Sequence, residues 1–153
     1  MVQTYSDNNY IYSVDMMFVY IHYNKSKYIK IKVDDLVKNL DHNGWNDDPD
    51  NDPKYAFSAY DVINNPDKYE SDFTRIMNAD LSYPIILSKD NNIIDGVHRL
   101  TKAYIEKNKY IKAYIFDSKL MKKFIITKRE NWNLINNLKS YNLIMLYIER
   151  FMK

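Results

Sequence analysis

The chain has no cysteine, only two glycines and four prolines, and no apolar run long enough to cross a bilayer. Each shortage removes a class of function. Without cysteine there is no disulfide framework, no thiolate zinc site, no iron–sulfur cluster and no thiol nucleophile. The longest apolar stretches, such as MMFVYI at 16–21, fall well short of the roughly 20 residues a membrane helix needs, so no membrane partner is expected. The opening MVQTYSDNNYIYSVD lacks a basic segment followed by an apolar one, so no secretory leader is expected. A net charge of +2 leaves no surplus for a polybasic arm, and any nucleic-acid contact has to come from a local patch.

What is present fits a folded domain. Hydrophobic residues make up 46% and charged residues 27% of the 153, which argues against disorder and for one domain spanning 1–153. The 15 tyrosines, with abundant Asn, Lys and Ile, reflect the codon bias of an AT-rich genome such as that of a large DNA virus or a parasite. The expected location is intracellular, in a host cell or, for a viral protein, in the virion.

Along the chain, MMFVYIH reads as a strand. KYIKIKV reads as a second, because Ile29, Ile31 and Val33 alternate with Lys30 and Lys32. Asp34 is placed to cap a short helix carrying Leu36, Val37 and Leu40. Residues 41–57, DHNGWNDDPDNDPKYAF, form a long loop of the functional or mobile kind. Pro66 suits a helix start, followed by an apolar stripe of Tyr69, Phe73, Ile76 and Met77. YPIILS, the turn KDNN and NIID give a strand–turn–strand, followed by a helix over 97–108 and a strand at KAYIF. The fold class expected is α/β (α+β): a small mixed sheet with packed helices. Beyond Asp117 and Ser118 the chain reads as helical. One stripe there is Leu120, Met121, Phe124 and Ile125, and a longer one is Leu134, Leu138, Tyr141, Met145 and Ile148. The last helix, with Tyr147, Ile148 and Phe151, either completes the core or forms a homodimer seam.

One of the two glycines lies in IIDGVHRLTKAYIEKN, between a strand and a helix. A strand ending in Asp-Gly that turns directly into a helix leaves the helix's first N–H groups at the sheet edge, where they and the dipole attract an anion, above all phosphate. Gly96 permits a positive φ and a close approach of ligand to backbone. Arg99 offers a forked cation and His98 a proton donor that titrates near neutrality. Two cationic side chains in the first turn oppose the helix dipole unless an anion lies between them. The plainer alternative is that Gly96 makes a tight turn, Arg99 pairs with Asp95, and His98 is a surface or core histidine.

The run PIILSKDNNIIDGVHRLTKAYIEKNKYIKAYIF resembles the core of the ParB/sulfiredoxin-like superfamily. The likeness covers about 83–116 and extends loosely back to KYIKIKV, for a core of about 27–116 and a carboxy-terminal helical extension, 117–153. Gly96, His98 and Arg99 match the sulfiredoxin Gly-Cys-His-Arg turn, but Val97 stands where the catalytic cysteine belongs, which excludes sulfinic-acid reduction. Gly96, Arg99 and Ala103 are compatible with the ParB branch, whose following helix-turn-helix domain has no counterpart here. Asp95 adds a likeness to the branch containing free-serine kinases. The resemblance implies a nucleotide, ATP or CTP, held with Mg²⁺, and as its use phosphoryl transfer, hydrolysis, nucleotide-gated DNA clamping or a nuclease-like activity. The amides of Val97 and His98 would then cradle phosphate, with Arg99 bridging it and Asp95 holding the metal or orienting His98. Asp41 lies in the stretch where a kinase's general base is expected.

Other signals point elsewhere. Asp48, Asp50 and Asp52 have alternate spacing, but Pro53 and Ala59 stand where a calcium loop needs Gly and Glu, which leaves a solvated acidic loop. His22 and His42 have no ligand spacing. No Gly-x-x-x-x-Gly-Lys-Ser/Thr loop or serine elbow occurs. Lys122, Lys123, Lys128 and Arg129, near Phe124 and Trp132, are either a DNA or RNA contact face or an ordinary solvated surface. The rival function is therefore a nucleic-acid-binding or virion-associated structural protein without catalysis.

Overall fold

The fold comes from a computed structural model, which describes residues 2–153. In chain order the elements are β1 (Thr4–Ser6), β2 (Tyr10–Ser13), α1 (Val14–Tyr23), β3 (Ile29–Lys32), a 3-10 helix Val33–Leu40, a short one Pro53–Tyr55, α2 (Ala59–Asn64), α3 (Glu70–Met77), β4 (Ile85–Ser88), β5 (Ile93–Asp95), α4 (Val97–Ile105), β6 (Tyr110–Phe116), α5 (Ser118–Lys122), β7 (Ile125–Lys128), a 3-10 helix Arg129–Asn137 and α6 (Ser140–Phe151). This is mixed α/β content with two small sheets, ordered β1-β2-β7 and β3-β6-β4-β5. No helix among the described residues is long and apolar enough to cross a membrane.

The chain forms two compact units: Tyr28–Tyr114, and the residues up to Lys27 together with Ile115–Lys153. The expected core of about 27–116 lies close to the first. The expected helical extension is not purely helical, because β7 lies within it and pairs antiparallel with β2, Ile11 opposite Thr127. The β-branched run Ile125, Ile126, Thr127 favours a strand over a continued helix.

MMFVYIH is not a strand but most of α1. A short apolar run cannot be assigned by periodicity alone, and here the local signals decide. The buried Ser13 hydroxyl accepts from the Met16 N–H at 3.1 Å, and Asp15 stands in the first turn, where a negative charge is favoured. Around α1 the second unit packs aromatic rings: Tyr20 meets Phe116 and Phe124 edge-on at 6.0 and 5.8 Å. Of the expected stripe, Leu134, Tyr141, Met145 and Ile148 are exposed and Leu138 is half-buried, and the residues of α6 that are buried are Leu143 and Tyr147.

In the first unit, β3 pairs antiparallel with β6 in the register Ile29–Ala113 to Lys32–Tyr110. Ile29 stays exposed because β3 is short and at the sheet edge. The helix expected from an Asp34 cap is 3-10, begins at Val33 and has no side-chain cap. Its buried Val33, Leu36 and Leu40 pack with Ile85, Leu87, Leu100, Ala103, Ile111 and Ala113 into one core. Asn39 fixes this helix to the β4–β5 hairpin, accepting from the Ile93 N–H at 2.9 Å and donating to the Asn91 carbonyl at 2.9 Å. The hairpin turn carries Asn91 at φ 61°, which asparagine tolerates.

The loop 41–57 is pinned at both ends. Trp45 and Phe57 exchange backbone bonds of 3.2 and 2.9 Å, and their rings meet at 6.0 Å. Phe57 then joins Val62 and Ile76, packed against Tyr69, Phe73 and Ile105. Pro66 does not open a helix but lies in the turn before α3. α2 starts with a reciprocal capping box, the Ser58 hydroxyl on the Asp61 N–H and the Asp61 carboxylate on the Ser58 N–H. Ser58→Ala is expected to lower stability by about 1 kcal/mol in urea unfolding, because a buried cap is lost.

Candidate functional site

Packing at the β5–α4 turn accounts for its glycine. Gly96 has φ 110°, and a Cβ there would meet Ile85 Cγ2 at 2.5 Å and Arg99 Nη2 at 3.0 Å. A side chain is thus excluded twice, by backbone conformation and by space. Gly96 also offers no side-chain cap, so the first-turn N–H groups of α4 have no side-chain acceptor at that position.

Arg99 is held by groups of its own unit. Nη1 donates to the carbonyls of Tyr83 at 3.1 Å and Pro84 at 2.8 Å, and Nη2 donates to Asp95 Oδ2 at 2.7 Å. The guanidinium, which has five N–H donors in all, therefore ties the end of β5 and the first turn of α4 to the residues entering β4. Asp95 is its ion-pair partner, with 27% of its side chain exposed against 18% for Arg99. This is the plainer alternative read from the sequence, and it leaves less of Arg99 for a phosphate than the resemblance implies.

His98 has a different character. Its ring lies flat on Trp45, 5.0 Å between centroids at 14°. Nε2 is buried and has no hydrogen-bond partner. Burial, then Arg75 and Arg99, lower the imidazole pKa below its ordinary value, while Asp95 opposes them weakly. A buried ring nitrogen without a partner is costly, and two nearby cations make an anionic partner the favourable one.

Beside this lies a second group that sequence patterns do not reveal. Asp72, in the first turn of α3, is only 5% exposed. Burial, then the neighbouring Asp47 carboxylate, raise its pKa above the usual aspartate value, and Arg75 one turn on pulls the other way. A carboxylate raised in the fold stabilises below its unfolded pKa, and that stability is lost as pH rises through the folded one. Asp72→Asn should therefore raise the melting temperature at pH 7 and give less benefit at pH 4, as thermal scans at the two values would test.

Other expected residues lie apart. Asp41 is exposed at the end of the 3-10 helix, and its charge acts on Tyr60. No hydrogen bond or ion pair joins it to the α4 turn among the described residues. The aspartates of the loop make turns: Asp48 Oδ2 accepts from the Asp52 N–H, and Asp52 Oδ1 from the Lys54 N–H. No group of three or more His, Asp or Glu side chains suited to a metal occurs among the described residues. The basic residues lie on two elements. Lys122 and Lys123 lie at the end of α5, whereas Lys128 and Arg129 lie at the far end of β7, with Phe124 and the strand residues Ile125, Ile126 and Thr127 between the pairs. Lys123 sits over the Phe151 ring at 5.2 Å, Arg129 donates to the Asp7 carbonyl at 3.1 Å, and Phe124 is fully buried.

The chain was compared with known proteins by family, by sequence and by structure. No family model, curated protein or solved structure matches it.

The functional reading therefore rests on the chain's own geometry. Trp45 and Arg75 are the neighbours of His98 that sequence reasoning passes over. A tryptophan beside one of two glycines, inside a loop already marked by its length, is the signal that could have drawn attention to Trp45. Arg75 carries no signal, because on α3 it reads as an ordinary exposed cation.

Proposed function

We propose that the Tyr28–Tyr114 unit binds the phosphate chain of a nucleotide, ATP or CTP, at the amino terminus of α4. The observation that carries this reading is the buried, partnerless Nε2 of His98 beside an uncapped first turn. In this reading the Val97 and His98 amides and the helix dipole meet the oxyanion. Protonated His98 donates a charge-assisted bond through Nε2, and Arg75 adds positive field. Arg99 and Asp95 hold the turn in shape, and Trp45 orients the imidazole.

Mg²⁺ normally takes one or two carboxylates together with phosphate oxygens and water. Asp95 offers one carboxylate at this turn, its Oδ2 shared with Arg99, so the donor set fits a metal that arrives with the nucleotide. Bound there, the ion would neutralise phosphate charge. The likeness of 83–116 to the ParB/sulfiredoxin-like core supports the same ligand class and adds phosphoryl transfer or hydrolysis as the chemistry. This chain's part would be positional and electrostatic.

Isothermal titration of ATP and CTP with Mg²⁺ tests the reading on wild type and on His98→Phe, which keeps a ring for Trp45 and removes Nε2. Wild type should bind, and the variant should bind at least about tenfold more weakly. Equal affinities, or no heat from wild type, would refute it. Acidity supplies a further expectation. With its pKa lowered in the fold, His98 takes up a proton less readily than in the unfolded chain. Ligand-free stability should thus fall as pH drops through about 6.5. ATP should lessen that fall, because a bound phosphate favours the charged ring; melting curves from pH 7.5 to 5.5 would measure both.

A further inference from the structure

We propose that a second copy of this chain covers the outer face of α6, in a two-fold symmetric, antiparallel helix pair. α6 is apolar on two opposite sides. One side, Leu143 and Tyr147 with Phe151 a turn on, faces its own unit, where Tyr147 stacks on Phe151 at 4.6 Å. The other carries Tyr141, Ile144, Met145, Ile148 and Met152. Tyr141, then Ile144 or Met145, then Ile148 and Met152 follow one another at three- or four-residue steps, so the five line one stripe along the helix and its C-cap. They are 36–62% exposed, where a peripheral helix ordinarily presents charge.

The chemistry of the stripe selects the occupant. The charged residues of α6 are Glu149 and Arg150, and Arg150 is turned inward to donate to the carbonyls of Lys123 and Ile125. The outward charge is thus a single carboxylate, which disfavours anionic lipid headgroups and nucleic-acid phosphates. Uncharged Tyr, Met and Ile are what the centre of a protein–protein interface contains. Side chains of this number and exposure present on the order of 500 Å². A two-fold pairing therefore buries about 1,000 Å² in total, the size at which a specific interface begins. The stripe is also self-complementary. An antiparallel crossing between Met145 and Ile148 sets Met145 opposite the partner's Ile148 and Tyr141 opposite the partner's Met152, sulfur against ring.

Sedimentation equilibrium of the full chain tests this directly. Wild type should have the mass of two chains at micromolar concentration. Met145→Glu should have half that mass, with unchanged circular dichroism because the side chain it replaces is exposed in the single chain. The absence of cysteine allows an independent check. Measured along the helix axis alone, the two residues 145 of an antiparallel pair are offset by about 5 Å and the two residues 141 by about 16 Å. Met145→Cys should therefore oxidise to a covalent dimer, and Tyr141→Cys should not. A wild-type monomer at high micromolar concentration would overturn the proposal, as would a dimer unaffected by Met145→Glu or cross-linking through position 141 instead. Co-sedimentation of monomeric wild type with anionic vesicles would overturn it in favour of a lipid surface.

Discussion

Replacing Gly96 with alanine is expected to destabilise the Tyr28–Tyr114 unit by about 3 kcal/mol, the sum of two costs. Alanine at φ 110° meets a backbone conformation that costs about 1–2 kcal/mol. Its Cβ also lands 2.5 Å from Ile85 Cγ2, and Ile85 has no exposed surface and sits in the core with Leu87 and Leu100. Such overpacking costs about 1–3 kcal/mol. In a unit of this size the melting temperature should fall by roughly 15 °C. Trp45 is the natural probe, because it packs against this core and stacks on His98, and a Trp132→Phe background removes the other tryptophan from the signal. A fall of only a few degrees would mean that β4 can move away from the turn, and that the close approach of Ile85 to Gly96 is not fixed.

Arg99→Ala is expected to cost about 2–3 kcal/mol without any ligand present. The variant loses the bonds to the Tyr83 and Pro84 carbonyls and leaves the Asp95 carboxylate without its partner. Hydrogen bonds to charged groups are worth about 1.5–3 kcal/mol each, and bonds sharing one guanidinium do not add in full. Arg99→Lys should recover little, because an ammonium cannot reach two carbonyls and a carboxylate with the planar fork of a guanidinium. Urea midpoints of the three proteins give the test. If Arg99→Ala unfolds with wild type, the guanidinium is free to serve a ligand, and its role returns to the one the sequence resemblance implies.

These two residues also mark how much of the site could be read in advance. The strand–Asp-Gly–helix order was legible, since turn chemistry is local and both neighbours have clear periodicity. The reason for the glycine was not, because the Ile85 methyl that excludes a Cβ lies eleven residues away and no local pattern reports it. For Arg99, both alternatives could be written down from the sequence, and only the position of the Tyr83 and Pro84 carbonyls decides between them. Asp72 and Asp47 meet across 25 residues of chain, too far for spacing arguments.

The fold divides along the same line. The β4–β5 hairpin, α4 and β6 follow their sequence signals closely, although α4 stops at Ile105, where Lys107 turns left-handed at φ 57°. α1 reads as a strand in the sequence because Met16–Tyr20 combines a helix's position behind a serine cap with a strand's composition. On α6 both faces are apolar, so the stripe Tyr141–Met145–Ile148 and the stripe Leu143–Tyr147 are equally good core candidates by pattern. Only the neighbouring rings of Tyr23 and Phe151 select the second.

The central claim is that the first turn of α4 receives phosphate oxygens, with His98 as the donor from a side chain. A ¹H–¹⁵N correlation spectrum of the chain, recorded as ATP is added with Mg²⁺ at pH 6.5, addresses it residue by residue. The Val97 and His98 amides and the His98 ring should move together and saturate, with His22 and His42 unmoved. If those two amides stay in place while the nucleotide shifts resonances elsewhere or none at all, α4 is not the phosphate site.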